Sequence, residues 1–333
     1  MSLDTALINK LFAIIVSLAI LAAGVFVYWA QQPIIRSDQA SIKFVVQSGS
    51  TVHTSMQQIA NAGVPVNPTL LDWLARLTGK ASKLKAGSYE LKPGTTPLYL
   101  IEQLVRGEFA QESLVIIEGW TFQQMRQAIA AHPALKHETT QWSEQEILDK
   151  VAPEYKMAEG LFFPDTYLFA KGSSDLQIYK QANAQLLKRL NDGWSRRDST
   201  VPFKSPYDAL IMASIVEKET GQKSERQMIA GVFVNRLKLG MLLQTDPTVI
   251  YGMGERYQGQ IHKRDLQTDT PYNTYTRLGL PPTPIALPGA ASLAAALNPA
   301  KTDALYFVSR KDGTSQFSDN LDDHNHAVNQ YQK

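Results

Sequence analysis

Residues 11–30, LFAIIVSLAILAAGVFVYWA, run for twenty positions without a charge. An uncharged run of that length crosses a hydrocarbon layer of roughly 30 Å as one helix. Tyr28 and Trp29 close it, where amphipathic rings favour a membrane interface. The rival is a cleaved signal peptide, whose apolar part is usually shorter, and no small-x-small cleavage pattern follows Gly24. An uncleaved anchor is therefore the expectation. Lys10 and Arg36 flank it almost evenly. Residues 1–10 are read as a cytoplasmic tail and the bulk of the chain as exported.

The remainder of the 333 residues is enough for about two domains. The absence of cysteine removes disulfides, thiolate catalysis and Cys-ligated zinc together. A net charge of +2 leaves no basic footprint, so no nucleic-acid partner is expected. There is no G-x-S-x-G and no P-loop. GMGERYQG opens like a dinucleotide fingerprint but has Tyr257 where the third glycine belongs. His324 and His326 stand beside Asp322 and Asp323 in what reads as a polar tail, without a zinc-binding helix pattern. No metal or cofactor is expected.

The fold class reads as α+β. From Ser41 a strand–turn–helix, IKFVVQSGST and onward, is followed by a second, GSYELKPGTTPLYLIEQLVRGE, at a constant offset. Phe44, Gly49, Thr51, Gln58 and Ile59 correspond to Tyr89, Gly94, Thr96, Gln103 and Leu104. Glycine permits the turn and threonine caps the helix after it. Between the copies, NPTLLDWLARLTG places Leu70, Leu71, Leu74 and Leu77 on one side of a helix. Residues 41–108 thus form a small α+β module, either a spacer or a polysaccharide-binding unit. Residues 109–333 form a larger mixed α+β domain. In it, Thr121 caps a helix TFQQMRQAIAAH, a long helix covers LQIYKQANAQLLKRLNDGW, and Ser224 with Gln227 reads as a capping box for a helix ending at Gly240. Residues 241–290, rich in Gly, Pro, Thr and Tyr, read as loops; a strand ALYFVSR and a hairpin-like KDGTSQFS follow.

The stretch SPYDALIMASIVEKETG ends a buried-looking helix in two glutamates. With Ile211 as zero, Ile215 lies at about 40°, Met212 at about 100° and Val216 at about 140° around the helix. Glu219 falls at about 80°, within that apolar arc, and Glu217 at about 240°, outside it. Leu210 and Ala213 lie on the other side, which softens the contrast. A carboxylate on an apolar face is costly unless paired or protonated, and desolvation raises its pKa toward what a general acid needs. The plainer reading makes Glu219 structural, bonded to the start of the next helix. Glu217 reads as exposed or salt-bridged, a supporting residue at most. Gln244, Asp246 and Tyr251 in LLQTDPTVIYG, with Tyr272, Asn273 and Tyr275 in TPYNTYTRLGLPPTPIALPG, supply the amides, hydroxyls and rings that a glycan site uses. They equally suit stiff loops.

Five stretches in order, KAGSYELKPGTT, EGLFFPDTY, ASIVEKET, VFVNRLKLGMLLQTDPTVIYGMG and YNTYTRLGLPPTPIALPG, resemble the endolytic murein transglycosylase (MltG/YceG-like) family. The resemblance implies a single-pass inner-membrane protein with its C-terminal bulk in the periplasm, a LysM-like module and a catalytic domain. It implies cleavage of the β-1,4 bond between N-acetylmuramic acid and N-acetylglucosamine within peptidoglycan strands, leaving 1,6-anhydro ends and terminating elongation beside peptidoglycan synthases. The family's catalytic glutamate aligns with Glu219, and Glu219–Thr220 resembles the Glu-Ser/Thr pair of other lytic transglycosylases. Gln244, Asp246, Tyr251, Asn273 and Tyr275 are carried over as substrate-binding residues. Two alternatives remain: a muramidase with Asp246 as second carboxylate, and a non-catalytic glycan-binding scaffold.

Overall fold

The computed structural model describes residues 5–219 and 222–332, so Thr220 and its expected pairing with Glu219 lie outside the described residues. The chain divides into two compact units, residues 1–112 with 169–171, and residues 113–168 with 172–333.

In the first unit, α1 (Thr5–Gln31) contains the apolar run, and the most apolar part of its membrane-length stretch, Ile8–Gln31, has no buried residue. A helix that is apolar all round and exposed suits lipid rather than water. Beyond it come β1 (Ile42–Val46), α2 (Val52–Asn61), α3 (Pro68–Leu77), β2 (Gly87–Leu91) and α4 (Pro97–Arg106). β1 and β2 pair antiparallel with Phe44 opposite Tyr89, their rings stacked at 5.5 Å. The internal repeat has a physical basis here. Gly49 and Gly94 turn at φ of 80° and 84°, and Thr51 and Thr96 cap α2 and α4 by accepting from Thr54 N and Tyr99 N. Met56, Ile59, Leu71, Leu74, Leu100, Ile101 and Leu104 fill the core, which Ala30 near the end of α1 and Ile35 just beyond it complete. After α1 the chain is tied to the β2–α4 turn by Ile34 N to Thr95 O at 2.8 Å and Gly94 N to Ile35 O at 3.1 Å. The leucine stripe expected on α3 is only partly used. Leu71 and Leu74 are buried, whereas Leu77 is 73% exposed.

The second unit begins within β3 (Gln111–Val115) and continues through α5 (Phe122–Ala131), α6 (Glu144–Val151) and the first residues of β4 (Thr166–Ala170), the strand that pairs with β3. Next come α7 (Asp175–Ser195), α8 (Pro206–Glu219), α9 (Arg226–Lys238), α10 (Asp246–Met253), α11 (Lys263–Gln267) and α12 (Ala290–Leu297). The chain ends in the antiparallel hairpin of β5 (Tyr306–Ser309) and β6 (Ser315–Ser318) and in α13 (Leu321–Tyr331). α8 is the centre of this unit. Residues 209–216 are all buried, and α12, α9, α7 and α10 surround them. The small side chains of AASLAAAL let α12 approach closely.

Two local expectations fail. Ser224 does not cap α9. It lies in a 3₁₀ turn, Lys223–Glu225, and the Glu225 carboxylate accepts from Ser315 N at 2.9 Å instead. Residues 241–290 are not all loop, because Pro247 sits in the first turn of α10, where its missing N–H costs nothing. The histidine-bearing tail is helical, capped by Asn320 onto Asp323 N, with His324 stacked on Tyr306 at 5.0 Å.

Candidate active site

α8 is apolar through Val216 and ends in Glu217, Lys218 and Glu219. Its two glutamates have different surroundings. The Glu217 side chain is only 7% exposed, contrary to its expected place outside the apolar arc, because neighbours enclose α8 on every side. One carboxylate oxygen pairs with Arg226 Nη2 at 3.4 Å, and the other accepts from Gly289 N at 2.9 Å, at the start of α12. Glu217 thus holds a helix start, that of α12 rather than of the next helix to which the plainer reading tied Glu219. With both oxygens occupied, Glu217 is a structural clamp.

Glu219 is partly buried, and its Oε1 accepts a hydrogen bond from Thr245 Oγ1. Burial raises its pKa; the Thr245 hydroxyl opposes this and the Asp246 charge adds to it. Thr245 is held in turn. Its N–H donates to Thr274 Oγ1 at 3.1 Å, and Thr248 Oγ1 donates to its carbonyl at 2.7 Å. Asp246, exposed at the first turn of α10, accepts from Tyr275 Oη at 2.5 Å, an interaction that with burial pushes the Tyr275 phenol pKa upward. The loop into this cluster is shaped by buried Arg236, which donates to Leu305 O at 2.7 Å, Leu242 O at 3.2 Å and Leu243 O at 2.9 Å, and reaches Gln244 Oε1 at 3.4 Å. Gln244 is exposed and takes a left-handed conformation, φ 50°, which strains a residue bearing a Cβ.

The structure thus brings together Glu219, Thr245, Asp246, Tyr275 and Gln244. Asn273 contributes differently from what its sequence context implied. It is 0% exposed; its amide donates to the carbonyls of Asp265, Leu266 and Thr268, and its Oδ1 accepts from Tyr275 N at 2.8 Å. It offers no free group to a ligand and instead fixes the loop that presents Tyr275. Tyr251, five residues along α10 from Asp246, turns to a separate pair. Its hydroxyl donates to Glu159 Oε2 at 3.2 Å, and its ring meets Tyr272 edge-on at 4.9 Å.

Sequence reasoning missed three members. Thr245 stands beside two residues that were singled out, and its role depends on a contact 26 positions away in sequence. Arg236 looks like any helical arginine until its carbonyl partners are seen. Glu159, in the aromatic stretch EGLFFPDTY, is buried and accepts from Phe122 N at 3.0 Å as well as from Tyr251, and burial lifts its pKa to about 7.

The chain matches the YceG-like family over residues 44–330. It is 30% identical over 340 residues to the endolytic murein transglycosylase of Bacillus subtilis strain 168, covering 94% of this chain and 91% of the relative. It is 28% identical over 359 residues to the endolytic murein transglycosylase of Streptococcus pneumoniae serotype 2 strain D39; 94% of this chain matches, but only 63% of that longer protein. Among solved structures, a YceG-like protein from Listeria monocytogenes superposes with a TM-score of 0.54 at 31% identity, covering 86% of this chain and 98% of that one.

Proposed function

The chain belongs to the YceG-like family, and from that premise we propose that it is a lytic transglycosylase that cleaves peptidoglycan glycan strands internally. The observation that carries the reading is Glu219, a partly buried carboxyl group at the end of α8 whose pKa is raised by burial and whose neighbours Asp246 and Gln244 stand exposed. A raised pKa favours the protonated form, which is the form a general acid requires.

In the proposed reaction, Glu219 donates its proton to the glycosidic oxygen as the bond from that oxygen to the muramoyl anomeric carbon breaks. The 6-hydroxyl oxygen of the same sugar then bonds to that carbon, and its proton passes to the Glu219 carboxylate. The glutamate is regenerated, no water is consumed, and the product end is a 1,6-anhydro sugar. A hydrolase generally uses a pair of carboxylates, one to handle a water or to act as nucleophile. Here the nucleophile is supplied by the substrate, so one suffices. Thr245 stabilises the ionised form between the two proton transfers.

Asp246 supports the second reading, a muramidase, because it places another carboxylate one residue beyond Thr245. Mass spectrometry of murein digested by the full chain separates the two: anhydro ends support the transglycosylase, reducing ends the hydrolase. The β–α–α–β order of residues 41–91 supports reading the first unit as a LysM-like module beside a catalytic unit. The exposed apolar surface of α1 supports a single-pass membrane anchor. With that anchor in the inner membrane and the bulk of the chain in the periplasm, strand cleavage beside peptidoglycan synthases would end elongation.

A further inference from the structure

The first unit has an apolar cleft at the edge of its core that the proposed reaction does not use. Along α1, Ala22, Ala23, Phe26, Val27 and Ala30 form one side of a cleft of about 630 Å³. The other side is α3, through Leu70, Trp73 and Leu77, joined by Leu98 from the first turn of α4. The α3 residues recur at helical spacing, three and four apart, so they make one continuous stripe. That stripe is not covered: Trp73 is 59% exposed and Leu77 73%. Large apolar side chains gathered on one face of a folded unit mark a contact surface.

We infer that this cleft is filled by lipid, the module lying partly embedded in the membrane interface through Trp73, Leu77 and Leu98. This rests on the reading of α1 as a membrane anchor and adds to it that the folded module, as well as the helix, contacts the bilayer. The α1 wall lies inside the uncharged run that ends at Ala30. From Ala22 to Ala30 the helix rises about 12 Å, so the cleft occupies about the last two-fifths of a hydrocarbon core of roughly 30 Å. At that depth the cleft is continuous with the lipid-facing surface of α1, and a soluble partner has no access to it. Tryptophan is a side chain suited to this boundary, with an apolar body and one polar N–H.

The cysteine-free chain allows a direct test. Single-cysteine variants Leu77→Cys and Leu98→Cys carry a nitroxide in the full chain, reconstituted into phosphatidylethanolamine–phosphatidylglycerol vesicles. Leu18→Cys, in the middle of α1, reports on the anchor, and Asp322→Cys, exposed on α13, reports on bulk water. Collisions with molecular oxygen and with an aqueous nickel chelate give the depth of each label. The expected result is a several-fold loss of nickel collisions at 77 and 98 relative to 322, with oxygen collisions approaching those at 18. Labels at 77 and 98 that behave like 322 while 18 stays shielded overturn the inference and leave the anchor intact. A label at 18 open to the nickel chelate overturns the anchor reading and this inference with it. Spin–spin broadening between labels at 77 that persists on dilution with lipid identifies a second copy as the occupant and overturns the inference as well.

Discussion

Thr245 Oγ1 donates a hydrogen bond to Glu219 Oε1, joining the loop before α10 to the last residue of α8. This bond opposes the effect of burial: it favours the carboxylate, whereas desolvation favours the protonated form. Thr245→Val removes the donor and keeps the shape. A hydrogen bond to a charged group is worth about 1.5–3 kcal/mol, so its loss raises the Glu219 pKa further. Because the protonated form is the acid, the alkaline limb of the rate profile moves to higher pH, and Thr245→Ser restores it. Rates of murein solubilisation from pH 5 to 9 measure the limb.

Glu217 predicts the opposite pattern. Glu217→Ala strips a buried arginine of its partner and Gly289 N of its acceptor, and breaking a buried pair costs about 3–5 kcal/mol. Urea denaturation of the full chain detects the loss. The folded fraction still produces the wild-type glycan ends with the wild-type pH profile, because the clamp holds α8 to α12 and exchanges no proton with substrate.

Glu159 makes stability depend on pH. Burial raises its pKa from the ordinary 4.5 to about 7, so between these values the folded chain binds the proton more tightly than the unfolded chain. That contribution is fully present below pH 4.5 and is lost as pH rises through 7, a total of about 3 kcal/mol. Glu159→Gln, a neutral mimic of the protonated acid, therefore matches wild type near pH 4 and exceeds it by about 3 kcal/mol at pH 8. Denaturation at a series of pH values checks the divergence.

What could be read from the sequence follows from how local each cause is. The doubled strand–turn–helix was legible because Gly49 with Thr51, and Gly94 with Thr96, are turn and cap signals contained within a few residues. The end of α8 was legible as a place where a carboxylate meets apolar surroundings. The contrast between its two glutamates was not. Periodicity identifies a buried face only when the opposite face meets water, and α8 has none, so Glu217 is enclosed as well. Asn273 and Leu77 erred in opposite directions. The amide expected at a sugar is used up by three carbonyls from the chain just before it, and the leucine expected in the core is exposed. Each outcome depends on what the rest of the chain places nearby. Pro247 was a missed local signal, because proline at a helix start is as informative as glycine at its end.

Glu219→Gln tests the central claim most directly. Gln keeps the shape and still accepts from Thr245 but cannot deliver a proton at neutral pH. Removing a general acid typically costs a factor of 10²–10⁴ in rate. Because a desolvated carboxyl group is also removed, the variant should be at least as stable as wild type. The measurement is the yield of 1,6-anhydro-muramoyl ends, by mass spectrometry, from murein incubated with equal amounts of folded wild-type and Glu219→Gln chains. The account predicts abundant anhydro ends from wild type and a loss of at least a hundredfold in the variant; an undiminished anhydro yield from the variant would contradict it.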